Sequence, residues 1–288
     1  MNTKLLQTYL EAGVDEIISE VAINRLDRKI EENLKAKEVQ ITSATTPKSS
    51  QPKDDLGKKI STLNAISLLA NKQKDQPENT RRLVSITENI AKASLDAEKC
   101  QTLEELEKAV RDFDGCSLKK MATNTVFADG NPESKIMIIG EAPGNDEDLQ
   151  GIPFCGDSGK LLDAMFKTIG FTRQDLYITS TLFWRPPGNR RPTADELAMC
   201  KPFVEKHIAL IKPKLIVLMG STAMVDILNI NDPISKSCGK FFDYQNQHFE
   251  TPIKSIVLFH PTYLMRQSSK KRETWAHLLK IKEFLKNQ

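Results

Sequence analysis

The stretch Lys135-Ile136-Met137-Ile138-Ile139-Gly140 decides the fold. Four consecutive large apolar residues closed by a glycine read as a strand buried on both faces, since a strand with one wet face would alternate apolar and polar residues. Working outward, the same kind of run returns at 176–183, 214–220 and 253–260. Helical patterns lie between these runs. Residues 158–169 carry Leu161, Leu162, Met165, Phe166 and Ile169 on one face, and 221–228 and 273–285 read as further helices. Thr193-Ala194-Asp195-Glu196 and Thr102-Leu103-Glu104-Glu105 have capping-box spacing, opening helices to about 211 and about 112. Strands alternating with helices predict an α/β fold: a three-layer α/β/α sandwich on a central four-stranded, mainly parallel sheet.

The first hundred residues have another character. Apolar residues at helical spacing predict an N-terminal helical segment over 1–34, broken at Gly13. Residues 35–100 read as a linker with short helices, partly disordered, because 35–60 are rich in Lys, Ser, Thr, Gln and Pro. Short helices are expected over 61–71 and 81–98, and the α/β domain over 101–288.

Composition sets outer limits. Of 288 residues, 39% are hydrophobic and 27% charged, which excludes a wholly disordered, collagen-like or coiled-coil chain. The net charge is +3, so nucleic-acid binding would need a local basic patch. No apolar run reaches the roughly 18–20 residues of a membrane helix, and the N-terminal stretch lacks the apolar core of a secretory leader. Five cysteines without a CxxC pair argue against a disulfide framework and fit a cytoplasmic setting.

In parallel α/β sheets, sites form at the carboxyl ends of the strands, so the loops there carry the functional reading. Neither GxGxxG nor GxxxxGK[ST] occurs, which removes dinucleotide and P-loop readings. Gly140-Glu141-Ala142-Pro143-Gly144 follows the first strand, either as a tight connection or as backbone approaching a ligand. Trp184-Arg185-Pro186-Pro187-Gly188-Asn189-Arg190-Arg191 follows the second, with three arginines on a proline-stiffened loop suited to phosphate contact. His260-Pro261-Thr262-Tyr263-Leu264-Met265-Arg266 follows the fourth, and its histidine emerges at the same rim.

Together these segments, with Gly151-Ile152-Pro153-Phe154 and Tyr177-Ile178-Thr179, resemble the family 4 uracil-DNA glycosylases of the uracil-DNA glycosylase superfamily, over about 116–275. The N-terminal hundred residues look like an extension found in alphaproteobacterial members. The resemblance implies a hydrolase that flips uracil out of DNA and cuts its N-glycosidic bond, in base excision repair, without strand cleavage. It implies catalytic roles for Glu141 and His260: Glu141, with the backbone near Ala142, positions the attacking water, and His260 donates a hydrogen bond to uracil O2. It implies a base pocket of Gly140, Ala142, Glu147, Phe154, Ser180 and Asn189, with Phe154 stacked on the uracil. On residue type alone, Phe154 is equally a core residue and Glu147 equally a surface carboxylate. Arg185, Arg190, Arg191 and Arg266 are the implied DNA contacts, while Lys270-Lys271-Arg272 reads better as a solvated face. The implied partner is uracil-containing DNA, bound by a monomer with no membrane association. Residues 1–100 are where a protein partner would dock.

Two positions depart from the family pattern. Most family 4 enzymes hold a 4Fe-4S cluster on four cysteines, and the matching positions here are Phe113, Cys116, Trp184 and Cys200. Two thiolates do not complete that site, so no cofactor is expected. Ser180 stands where the family has an asparagine that reads the uracil edge. A single hydroxyl replaces a donor and an acceptor, which predicts slower or less selective catalysis. Two other functions fit the same residues: a non-catalytic DNA-binding module, and a glycosylase for another deaminated base.

Overall fold

Each apolar run becomes a strand because its residues can be covered on both sides. A computed structural model describes residues 78–287. The N-terminal segment over 1–34 and the expectations up to 77 lie outside the described residues. The chain enters through helices α1 (Glu78–Lys99) and α2 (Leu103–Asp112). Thr102 caps α2, its side chain accepting from the Glu105 N–H. There follow strands β1 (Asp129–Gly130) and β2 (Ile136–Gly140), helices α3 (Asn145–Gln150) and α4 (Asp157–Lys167), and strand β3 (Tyr177–Ser180). Helix α5 (Ala194–Ile211), strand β4 (Leu215–Met219), helices α6 (Ser221–Leu228) and α7 (Ile234–Ser237) and strand β5 (Phe241–Tyr244) come next. Strand β6 (Ile253–Leu258) and helices α8 (Pro261–Arg266) and α9 (Lys271–Lys286) complete the fold.

The sheet order is β1-β3-β2-β4-β6-β5, with β3, β2, β4 and β6 parallel and both edge strands antiparallel. The four parallel strands are those expected from sequence; the sheet has six. The edge pair escaped the reading because β1 is two residues long and the β5 sequence Phe-Phe-Asp-Tyr does not alternate. Strand β3 also stops at Ser180, short of the expected 183. Gly140 pairs with Ser180, and β2 turns away immediately afterwards, so the chain beyond Ser180 has no parallel ladder to continue.

Side-chain alternation divides the core into two layers. Met137, Ile139, Ile216, Leu218 and Val257 face helices α1, α2, α5 and α6 through Ala93, Leu106, Phe203, Val204 and Met224. Ile136, Ile138, Ile178, Val217 and Leu258 face α4, α8 and α9 through Leu162, Phe166, Leu264 and Ile281. Because the four central strands are parallel, Gly140, Ser180, Met219 and Leu258 end on one edge of the sheet.

Candidate active site

That edge opens into a cavity of about 500 Å³. Its wall includes Glu141, Ala142, Glu147, Phe154, Ser180, Asn189, Arg190, Arg191, His260 and Arg266, which sequence reading had drawn from five separate segments. Two further residues of that reading stand behind the wall. Gly140 lies under the Phe154 ring, where an added Cβ would sit 2.6 Å from the ring carbons, so only glycine lets the ring close down on β2. Arg185 is half-buried and donates to Asn189 Oδ1 at 2.7 Å and Asn145 Oδ1 at 2.9 Å.

His260 follows β6 and caps α8. Its Nδ1 accepts from the Thr262 N–H at 3.2 Å. A ring nitrogen that accepts carries no proton, so the neutral imidazole holds its proton on Nε2. Burial pushes the His260 pKa down to about 4, with Arg266 adding to the effect, so the ring is neutral near pH 7. The Phe154 ring stacks beside it, centroids 5.5 Å apart and planes at 28°. Phe154 is buried and has φ +51°, in the left-handed region that phenylalanine rarely occupies.

Glu141 follows β2. Thr222 Oγ1 donates to its Oε2 at 2.6 Å, and the Thr181 hydroxyl donates to its carbonyl at 2.6 Å. Both ends of the residue are thereby held. Sequence reading missed Thr222, although the turn after β4 is marked by the same strand-end rule that pointed to the other loops.

The remaining wall residues divide by partner. Glu147 is buried and accepts from the Gly144 N–H at 3.0 Å and the Gly156 N–H at 3.2 Å, tying the loop after β2 to the loop before α4. Ser180 is buried at the floor. Arg190 makes a two-pronged ion pair with Glu196, at 2.9 and 2.6 Å. That pair holds the Glu196 carboxyl below its usual range. Glu196 in turn closes the capping box of α5 with Thr193. Arg190 thus has a partner within the chain, while Arg191 and Arg266 line the cavity mouth as cations.

Away from the cavity, Phe113, Cys116, Trp184 and Cys200 share one apolar core with at most 1% exposure each. Phe113 packs edge-on against Phe203 at 5.2 Å, and Trp184 Nε1 donates to Thr125 Oγ1 at 3.0 Å. A hydrogen bond between the two thiols holds Cys116 below and Cys200 above the usual thiol range. Two thiols and two large rings do not fit a four-thiolate cluster. Among the described residues, no group of three or more His, Cys, Asp or Glu side chains is placed to hold a metal ion. Nor is any helix among them long and apolar enough to cross a membrane.

A parallel α/β/α sheet with a neutral imidazole, an oriented carboxyl group and a stacked aromatic ring around a cavity at its carboxyl edge narrows the class of protein. Residues 127–280 match the model of the Uracil DNA glycosylase superfamily, and the chain belongs to that superfamily. Within it, the chain is 36% identical to the type-4 uracil-DNA glycosylase of Archaeoglobus fulgidus over 187 residues, which are 64% of this chain and 93% of the relative. It is 35% identical to the type-4 enzyme of Thermotoga maritima over 193 residues, 65% of this chain and 97% of the relative. The type-4 enzyme of Sulfurisphaera tokodaii is 37% identical over 167 residues, 56% of this chain and 73% of the relative.

Proposed function

We propose that this chain hydrolyses the N-glycosidic bond of uracil in DNA, leaving an abasic site and an uncut strand. The base enters the cavity as a flipped nucleotide. The Phe154 ring covers its face, and Ser180 lies at its edge. Glu141, held by Thr222, and the backbone at Ala142 orient the attacking water. As the glycosidic bond lengthens, negative charge grows on uracil O2. His260 meets that charge with its Nε2–H, a fixed donor of the kind that stabilises a leaving group by several kcal/mol. Among the described residues, no lysine lines the cavity to form a covalent adduct with the sugar, which supports plain hydrolysis. Arg191 and Arg266 hold phosphates at the mouth, while Arg185 and Arg190 hold the loop that presents Asn189.

The observation that carries this reading is the Thr262 N–H donating to His260 Nδ1 at 3.2 Å, which assigns the ring proton to Nε2. An imidazole with a fixed N–H at the end of a buried strand is built to donate.

The chemistry needs no metal, and the packed side chains of Phe113 and Trp184 support an enzyme without the cluster. The residues given roles run from Gly140 to Arg266 of one chain, which supports action as a monomer. Five free cysteines support a reducing, cytoplasmic setting, and the residues before α1 are left to a protein partner.

The test is uracil excision from single- and double-stranded oligonucleotides, with hot alkali revealing abasic sites. Wild type should cut at uracil and spare cytosine, and His260→Ala should lose that activity. Salt-sensitive DNA binding without excision would replace the enzyme with a binding module. Excision of hypoxanthine in preference to uracil would favour the second reading, a glycosylase for another deaminated base, to which the short Ser180 side chain lends support.

A further inference from the structure

We propose that Arg173 is a positioning residue that sets the base-stacking ring of Phe154 from the edge of the sheet. The argument rests on the reading of Phe154 as the ring that covers the flipped base. Phe154 takes a left-handed backbone, which a bulky residue keeps only where its surroundings impose it. What imposes it is visible. The Arg173 guanidinium donates to the carbonyl of Pro153 at 2.6 Å and to the carbonyl of Phe154 at 3.2 Å. The same guanidinium donates through Nε to Asp129 and through Nη1 to Asp163 at 3.1 Å.

Each partner comes from a different element. Asp129 lies on the edge strand β1, opposite Ile178 of β3, and Asp163 lies on α4. Arg173 opens the short turn before β3. The planar, five-donor fork of an arginine can serve two carboxylates and two carbonyls together, whereas a lysine ammonium is a point charge with three donors. On its other side, the Phe154 carbonyl is bounded by Gly159, where an added Cβ would fall 1.7 Å from the oxygen. The ring itself rests on Gly140 and stacks beside His260. The peptide is drawn by Arg173, walled by Gly159, and aims the ring into the cavity. This also gives the two-residue strand β1 a task, since it delivers Asp129.

Arg173 does not line the cavity, so it acts through Phe154 or not at all. Single-turnover excision from a uracil oligonucleotide should be measured for wild type, Arg173→Gln, Phe154→Ala and the double variant, alongside affinity for the same DNA. Arg173→Gln should lower the single-turnover rate by about 10²-fold, the scale of a misplacement of about 1 Å. DNA affinity should be held, because Arg191 and Arg266 are untouched. Added to Phe154→Ala, Arg173→Gln should cost little more, since residues acting as one unit are non-additive. Additive losses would show that Arg173 only supports the fold and would overturn the proposal.

A readout free of activity separates this idea from the glycosylase reading. The stacked Phe154 ring shifts the proton resonances of the His260 imidazole, and Phe154→Ala removes that shift. Arg173→Gln should move those resonances toward their Phe154→Ala positions even if the wild type excises nothing. Unmoved resonances would overturn the clamp. Should Arg173→Gln fail to fold, Asp129→Asn loosens the guanidinium without removing it and carries the same tests.

Discussion

The Thr262 N–H donates to His260 Nδ1 at 3.2 Å, which leaves the proton of the neutral ring on Nε2. Burial lowers the ring's pKa to about 4 from the usual 6.5. Excision should therefore persist as pH falls through 6.5 and fail only as pH nears 4, where the imidazole gains a proton and Thr262 loses its acceptor. The stability that His260 contributes follows the same sign, present above 6.5 and lost as pH falls toward 4. An NMR titration of His260 beside the pH–rate profile checks both, and a midpoint near 6.5 would contradict the account.

Thr222→Val keeps shape and removes the hydroxyl that holds Glu141. A hydrogen bond to a charged group is worth about 1.5–3 kcal/mol, so the excision rate should drop by roughly 10- to 100-fold. DNA affinity should barely change, because the loop arginines are untouched, and the melting temperature should fall by only a few degrees, because Thr222 is only partly buried. Single-turnover kinetics with a binding titration distinguish the two quantities.

Ser180→Asn lengthens a buried polar side chain of the cavity to an amide with both a donor and an acceptor. Pairing a base edge otherwise left unmatched is worth about 1–3 kcal/mol. The uracil rate should rise, and discrimination against cytosine should improve by about tenfold. Competition between uracil and cytosine oligonucleotides measures both. If neither moves, position 180 does not read the base.

Trp184→Ala should destabilise the chain by about 3–5 kcal/mol, the usual loss on emptying a buried tryptophan site. It should do so without spectral change in the visible range, because the wild type is expected to purify anaerobically without an iron-sulfur absorbance band. Denaturant unfolding gives the first quantity and metal analysis the second. About four iron per chain in the wild type would reverse the packing argument.

His207 is a separate pH element. It is buried between Tyr177, whose hydroxyl lies 2.6 Å from Nε2, and the Phe127 ring stacked at 4.5 Å. Burial pushes its pKa down to about 3, against 6.5 for an exposed histidine. The folded state thus binds fewer protons than the unfolded one between those values, and stability falls as pH drops from 6.5 toward 3. His207→Phe should flatten that acid limb. At neutral pH it should destabilise by about 1–3 kcal/mol, because the Tyr177 hydroxyl loses its partner. Urea midpoints at neutral and acid pH test both signs.

The local sequence determined the strands and helices that carry the site. Continuous apolar runs such as Ile136–Ile139 and capping boxes such as Thr193–Glu196 act within a few residues, and local composition specifies them. The same logic placed Glu141 and His260 just past strand ends, which parallel strands bring to one edge, whereas Phe154 and Ser180 were drawn from the family resemblance. Pairings between distant segments were decided only by the tertiary structure. Thr222 meets Glu141 across 81 residues, and Arg173 meets Asp129 across 44. Neither residue type announces its partner, because a hydroxyl or a guanidinium takes its role from what the fold sets within about 3 Å of it. Arg190 illustrates the limit. On its loop it reads as a phosphate contact, and only the packing of α5 shows it spent on Glu196. The edge strands were hidden for a related reason. Two residues of β1 carry no period, and only pairing with β3 makes them a strand.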